Sequence, residues 1–519
     1  MSHVPSRSTA PTGGRRGRTR TAAVRWRIVG GLVAIAATVA ASLTPTAAQA
    51  APAQTGVPTG IRVAAVTASA FTITTNPATN TVYYRLFAST LKSNLYVANI
   101  TQARASALST TPRMTISGLA YTTAPVWYRV ETINGGYRNW SDILSVGLRP
   151  AIPTGVVVTS NSKGTYLTWN SGPATGYTIA EATDPALTVN RRDYRIRGGL
   201  NHQFTPYGLV KGRTYYFRVR AINNGTPSYG SALVSAVKMT TQQRLSVMTY
   251  NVLQATADGG IAGGQVIAPW SQRQPRVVGY INQASPDLIG LQEAGSWTGA
   301  VKGPRQVDTL TTALGGVYRL ARTETPPSEP GYFRTANYIL YKAATYQTVG
   351  TGWHWTLPSN HLASYQGLQN RLTGARVLFV VPHLGVESTD AVRQADMKWM
   401  MSAASTLAAS QHASVIYAGD FNSNANRYHL FDGPSVAARA GHVADGLDAA
   451  QWLGNQRYNS ANGYWRTPPA FGQSIDHIYA SPGVAVVSWR LLLNLTNGSF
   501  VGVMPSDHNP LVADMTIPY

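Results

Sequence analysis

Two stretches of this chain are near copies of each other, and that repetition limits the fold of its first half more than any other feature. Val57-Pro-Thr-Gly-Ile-Arg-Val63 returns as Ile152-Pro-Thr-Gly-Val-Val-Val158. Ser117-Gly-Leu119 followed by Trp127-Tyr-Arg-Val-Glu-Thr-Ile-Asn134 returns as Tyr207-Gly-Leu209 followed by Tyr216-Phe-Arg-Val-Arg-Ala-Ile-Asn223. An offset of about 95 and then about 90 residues implies one structural unit per copy. Between Gly56 and Lys238 short runs of Val, Ile, Thr and Tyr alternate with Gly, Pro and Asn, and no helical periodicity competes. That pattern predicts two antiparallel sandwiches, over 51–150 and 151–240.

The opening proline, the Gly-Leu pair and the Tyr-x-Phe-x-Val-x-Ala-x-Asn run resemble fibronectin type III modules. The second copy keeps a core tryptophan in Leu167-Thr-Trp-Asn170, whereas the first has Phe71-Thr-Ile-Thr-Thr75 and must fill its core differently. Alternation turns Phe217 and Val219 inward and leaves Tyr216, Arg218 and Arg220 outward. Arg191, Arg195 and Arg197 share one face, interrupted by Asp193. Such rows suit a nucleic acid or a cell-wall polyanion; the plainer reading is a solvated sheet face.

The pattern changes at Thr240-Thr-Gln-Gln-Arg244, read as a short polar linker, and strands then alternate with helices over 241–519. Expected strands are Leu245–Tyr250, Asp287–Gln292, Tyr338–Tyr341, Val377–Val381 and the apolar run Val415-Ile-Tyr-Ala-Gly419. Ser271 is expected to cap a helix that turns Val277, Val278 and Ile281 inward. Ser388 or Thr389 is expected to cap another, with Val392, Ala395, Trp399, Ala403 and Leu407 on its buried stripe.

These strands end in residues fit for acid–base or metal work: Asn251, Glu293, His383, Asp420 with Asn422, Asp476, and Asp507 with His508. Strand ends on one sheet edge converge, so the set can form one site. Asp420 and Asn422, two residues apart on an extended chain, point to the same side. The chain has no cysteine, which excludes a thiolate nucleophile, a disulfide framework and a Cys-ligated zinc. Hard oxygen ligands point instead to Mg²⁺, with Mn²⁺ or Ca²⁺ as alternatives. Taken singly, each residue has a structural alternative. Asn251 could cap backbone groups, Asp476 and His508 could be a structural pair, and His477 reads as structural. Glu293 is hardest to explain that way, because a carboxylate ending a buried strand is costly without a cation.

Thr249-Tyr-Asn-Val252, Pro286-Asp-Leu-Ile-Gly-Leu-Gln-Glu293, Pro382-His-Leu384, Gly419-Asp-Phe-Asn422, Ile475-Asp-His477 and Ser506-Asp-His-Asn-Pro510 resemble, in order, the motifs of the endonuclease/exonuclease/phosphatase superfamily, the deoxyribonuclease-I-like fold. The resemblance implies a four-layer α/β/β/α sandwich that hydrolyses phosphate esters with a metal-activated water. It implies Glu293 as principal metal ligand with Asn251 and Asp507, and Asp420 as the group that positions or deprotonates water. Asn422 would bind a phosphoryl oxygen, His508 oriented by Asp476 would meet the phosphate, and His383 would serve the leaving oxygen. Asn337 falls where the family often has a site-facing polar residue. The branch is less defined. His383 stands where abasic-site endonucleases carry Tyr-x-Pro-Asn, the inositol-phosphatase signature is missing, and Ala294-Gly-Ser296 lacks the arginine of deoxyribonuclease I.

The first fifty residues read as an address: Arg15, Arg16, Arg18, Arg20, Arg25 and Arg27, an apolar run from Ile28 to about Ala41, and Ala48-Gln-Ala50 as a cleavage site. An uncleaved anchor is the alternative, and the Sec or twin-arginine route stays open. The expected protein is thus secreted, with cell-wall association an option, and monomeric. The formal charge of +22 is uneven: residues 51–240 hold 18 basic and 5 acidic residues, 241–519 hold 18 and 16. The leading expectation is a nuclease or phosphodiesterase acting on DNA or RNA that the basic sandwiches help to gather. A sphingomyelinase-type phospholipid phosphodiesterase, with Tyr346–Trp355 as its exposed hairpin, is a second reading. A non-catalytic adhesion or binding protein is a third.

Overall fold

The computed structural model describes residues 53–199, 201–295, 305–321, 337–423, 433–471 and 474–519. The expected leader lies outside the described residues. Among those described, no helix is long and apolar enough to cross a membrane.

The N-terminal region is all-β apart from two short 3₁₀ helices, and its two halves repeat one plan. In each, a three-stranded sheet faces a five-stranded one. Each half encloses its own core. Phe71, Ile73, Leu86, Tyr128 and Val130 fill the first, and Leu167, Trp169, Tyr177, Phe217 and Val219 the second. Trp169 is buried as its copy's core, and Phe71 and Ile73 fill the tryptophan-less copy. In Thr214–Asn223 alternate residues are buried, so Tyr216, Arg218 and Arg220 do face outward. The arginine row on Arg192–Arg197 is partly spent. Arg197 Nη1 donates to Ala450 O (2.6 Å), and the Arg195 backbone exchanges hydrogen bonds with the Gln451 side chain. This strand docks on the C-terminal half in place of facing solvent throughout.

The C-terminal half is built on two sheets. We number its main strands β1 (Gln242–Asn251), β2 (Leu288–Gln292), β3 (Tyr338–Lys342), β4 (Tyr346–Thr356), β5 (Leu362–Asn370), β6 (Arg376–Pro382), β7 (Ser414–Asp420), β8 (Asp476–Ala480), β9 (Ala485–Leu491) and β10 (Leu511–Pro518). One sheet runs Tyr318–Leu320, β3, β2, β1, β10, β9, Trp452–Gly454; the other runs β4, β5, β6, β7, β8, Ala444–Asp445. The expected linker is part of β1: Gln242 already pairs with Pro518, so the strand begins inside the polar stretch. Leu288, Phe379, Ile416, Ile478 and Leu511 share a core drawn from both sheets. Helices α1 (Trp270–Ala284) and α2 (Gln306–Ala313) pack with Met248, Ile289 and Leu340 of the first sheet. Helices α3 (Asp390–Gln411) and α4 (Gly433–Ala440) pack with Leu378, Val415 and Tyr417 of the second. Between the sheets there is no room to spare, since a Cβ on Gly290 would meet Val381 and Ala418 O.

Three local expectations are corrected. Helix α1 starts at Trp270, not after Ser271, because Asp258 Oδ2 accepts the Trp270 N–H (2.7 Å). Thr389 caps α3 as expected, but the buried stripe is Arg393, Asp396, Met397, Met400, Ala404 and Ala408, one residue on from the expected one. The Tyr346–Trp355 hairpin is β4 itself, with Tyr346 buried and Trp355 stacked on Tyr365 at 4.1 Å.

Candidate active site

Strand direction explains why the polar ends meet. β2 runs parallel to β1 and β7 parallel to β6, so Asn251, Glu293, His383 and Asp420 leave at one edge. β8 and β10 are antiparallel to their neighbours, so their first residues return there, with Asp476 opposite Asp420 and Leu511, just after His508, opposite Thr249. Gly419 is dictated by packing: a Cβ there would run into Pro382 O. Asp420 follows it and is buried.

Asp420 Oδ2 is the focus of the site. Asn251 Nδ2 donates to it at 3.1 Å, His383 Nε2 lies at 3.5 Å and His508 Nε2 at 3.6 Å. The other nitrogen of His508, Nδ1, is 2.9 Å from Asp476 Oδ2. Burial works against a charge on His508, but Asp476, Asp420 and Asp507 outweigh it and hold its pKa well above the ordinary range. His508 is therefore an imidazolium clamped between carboxylates.

Beside it lies a second carboxylate group. Glu293 Oε1 accepts from Asn251 Nδ2 (2.9 Å) and Oε2 from the Gln254 backbone (3.0 Å). Asp507 is pushed up by burial and by the negative charge of Glu293, against the pull of His508. A buried carboxylate raised by its neighbour Glu293, with only oxygen ligands at hand, fits a hard divalent cation. Asp420, Asp476 and His508 also bring ligand atoms within 4.8 Å of one another. There the imidazolium already supplies the positive charge.

Two residues sit differently from expectation. Asn251, expected as a metal ligand, presents its NH₂ to the carboxylates, while its oxygen accepts from Leu253 N (3.1 Å). Asn422 is not on an extended chain. It turns into the left-handed region (φ 43°), its N–H bonds Asp420 Oδ1 (2.9 Å) and its amide donates to Leu384 O (2.8 Å). Glu293 also has positive φ (59°), a conformation that non-glycine residues hold only under constraint. Asn337 bonds across the two sheets, its Nδ2 donating to Leu362 O and its backbone O accepting from Ser364 Oγ. His477 faces the other way, with Nδ1 3.1 Å from Asp445 Oδ2 and its ring stacked on Tyr479.

Sequence reasoning passed over the loop that holds these groups. Ser460 Oγ accepts the N–H of Ile475 and of Asp476. The N–H groups of Asn462 and Gly463 donate to Asp507 O (2.6 and 3.0 Å), and Asn462 Nδ2 reaches Ser506 O and Asn509 Oδ1. Their signal was the polar cluster Asn459-Ser-Ala-Asn-Gly463, which ends no strand.

The profile of the Endonuclease/Exonuclease/phosphatase family matches residues 248–508, half of the chain and the whole of this site. The chain belongs to that family. As a member it is a hydrolase of phosphate esters. Among curated proteins, none matches the sequence. Similar solved structures include an endonuclease/exonuclease/phosphatase family protein from Bacteroides thetaiotaomicron (18% identity, 53% of this chain and 96% of that one, TM-score 0.42). Others are a mannosyl-6-phosphatase from the same species (20%, 52% and 99%, 0.40) and the catalytic domain of human Nocturnin with bound sulfate (19%, 54% and 96%, 0.38). Divalent-metal dependence is general in the Endonuclease/Exonuclease/phosphatase family, and this site's oxygen donors accord with it.

Proposed function

We propose that the protein is a secreted phosphodiesterase, in the first place a nuclease, that cleaves DNA or RNA with a metal-activated water and works as a monomer. In this reading its C-terminal half is the four-layer α/β/β/α sandwich of the family, and the two all-β units are fibronectin type III-like modules. The observation that carries it is Asp420 Oδ2, met by Asn251, His383 and His508 beside the facing carboxylates Glu293 and Asp507.

Glu293 and Asp507 would hold a divalent cation, Mg²⁺ in the first place, with Asn251 bridging Glu293 to Asp420. The ion would supply positive charge to a phosphoryl oxygen and acidity to a water. Asp420, with Asn251, His383 and His508 around its Oδ2, orients the attacking water and accepts its proton. His508, held as a cation by Asp476, donates to the phosphoryl oxygens as negative charge grows on them. His383, partly exposed, is placed to protonate the leaving oxygen. Asn422 would bind a phosphoryl oxygen on giving up the bond its amide now donates to Leu384 O.

The test is a panel of plasmid DNA, RNA, sphingomyelin vesicles and inositol phosphates, incubated with the full chain with and without Mg²⁺, and with Glu293→Ala and His508→Ala. Metal-dependent cleavage of nucleic acid that both substitutions abolish is expected. Release of choline phosphate alone would move the substrate to phospholipids. Absence of any metal-dependent hydrolysis would overturn the reading.

A further inference from the structure

Arg273 takes no step in the proposed chemistry, yet it is built into the frame of the site. It lies in the first turn of α1 with no exposed surface. A buried guanidinium is costly unless its N–H groups are bonded and its charge is paired, and here both hold. Its Nη2 donates to Asp258 Oδ1 (2.8 Å) and its Nε to Ala268 O (2.9 Å), and the group lies 5.3 Å from the centre of the Trp270 ring. The remaining nitrogen, Nη1, does something that folding of α1 does not require. It donates to Val252 O at 2.7 Å and to Pro505 O at 3.0 Å.

Those two carbonyls belong to loops far apart in sequence. Val252 directly follows Asn251, and Pro505 stands two residues before Asp507. One nitrogen therefore ties the chain leaving β1 to the chain entering β10, just behind the residues that face one another across the carboxylate cluster. Ser506 closes the same seam from the other side, its Oγ donating to Asn251 O at 2.7 Å. Because Asn251 grips Glu293, any slip between the loops changes the distance from Glu293 to Asp507.

From this we infer that Arg273 is a positioning residue for the cation: it sets the separation of the Asn251–Glu293 pair from Asp507. The inference rests on the metal reading above. Lysine could keep the charge near Asp258, but a point ammonium cannot span two carbonyls and a carboxylate as the planar fork does.

The experiment titrates Mn²⁺ alone into metal-free full-length protein, followed by calorimetry, for the wild type, Arg273→Lys, Asp258→Asn and Leu368→Ala. Leu368 is buried on β5 of the other sheet, opposite Val377 at the end of β6 remote from His383, so its truncation destabilises the domain without touching the seam loops. Mn²⁺ affinity is expected to fall about 10–100-fold in Arg273→Lys, as for residues that orient ligands. It is expected to fall less, in the same direction, in Asp258→Asn, and to stay at the wild-type value in Leu368→Ala despite a lower Tm. Wild-type affinity in both Arg273→Lys and Asp258→Asn would reduce Arg273 to a folding role and overturn the inference. If Arg273→Lys does not fold, Asp258→Asn decides in the same way. A wild-type protein that takes up no Mn²⁺ would overturn the metal reading itself, and the inference with it.

Discussion

His508 and Lys238 are both buried cations, and their surroundings send them in opposite directions. His508 keeps its proton because carboxylates flank it on two sides. Replacing Asp476 by Asn removes one of them and leaves the ring free to change tautomer. Turnover of bis(p-nitrophenyl) phosphate should then drop about 10²–10⁴-fold with an unchanged circular dichroism spectrum; a rate within about threefold of wild type would take the pair out of the mechanism. Among the described residues no carboxylate pairs with Lys238, whose ammonium donates to Thr240 Oγ1 at 3.0 Å, and burial lowers its pKa from 10.5 to about 8. Below pH 8 folded and unfolded chains both carry the proton, so the burial penalty is present in full. Between about 8 and 10.5 only the unfolded chain holds it, and stability rises with pH. Lys238→Met should therefore gain ~3 kcal/mol at pH 7, with the advantage fading towards pH 10.5. Urea melts across that range would show it, and a constant difference would contradict the cause.

At the scale of elements, α3 separates what periodicity can tell from what it cannot. The helix was legible, with its Thr389 cap, but alanines on several faces blur the stripe, and two sets spaced by three and four residues compete one position apart. Burial chose the set containing Met397 and Met400. Met400→Ala should accordingly cost about 2–5 kcal/mol, and Val392→Ala no more than about 0.5, by equilibrium unfolding. The converse ranking would restore the stripe expected from the sequence. The strand ends were legible for a firmer reason: a buried strand that stops at a carboxylate or histidine is rare unless the residue has work to do. The turn at Asn422 was not, since a left-handed residue after a strand leaves no trace in hydropathy. Arg273 was hidden by its own chemistry, because a charged residue on a helix is read as surface until its partners are seen.

Taken whole, the molecule keeps its basic half away from its chemistry. The second all-β unit meets the C-terminal half through Arg195 and Arg197 against 450–451, and Thr205 Oγ1 against Gly483 N. Gly483 follows β8, whose other end is Asp476, and β7 beside it spans about 20 Å at the usual strand rise. The seam is thus at the far end of the sheets from Asp420. Breaking it with Arg197→Ala and Gln451→Ala should leave kcat on a short dinucleotide within about twofold. Neutralising the outward pair Arg218 and Arg220 should leave that kcat alone too, while weakening retention on DNA and flattening its salt dependence. Loss of turnover in either variant would mean that the modules act inside the site and not as a tether.

The placing of β1 has one more consequence, for the order of events as the chain folds. This strand lies between β2, some forty residues on, and β10, whose residues 511–518 pair with 242–249. The carboxylate cluster draws on both sides of that pairing, and closing so long a loop is slow. A nascent chain can complete its all-β units early, but it has no catalytic edge until β10 has emerged. In refolding experiments cation uptake should lag behind the burial of Trp169, and the enzyme stays silent until β10 is in place.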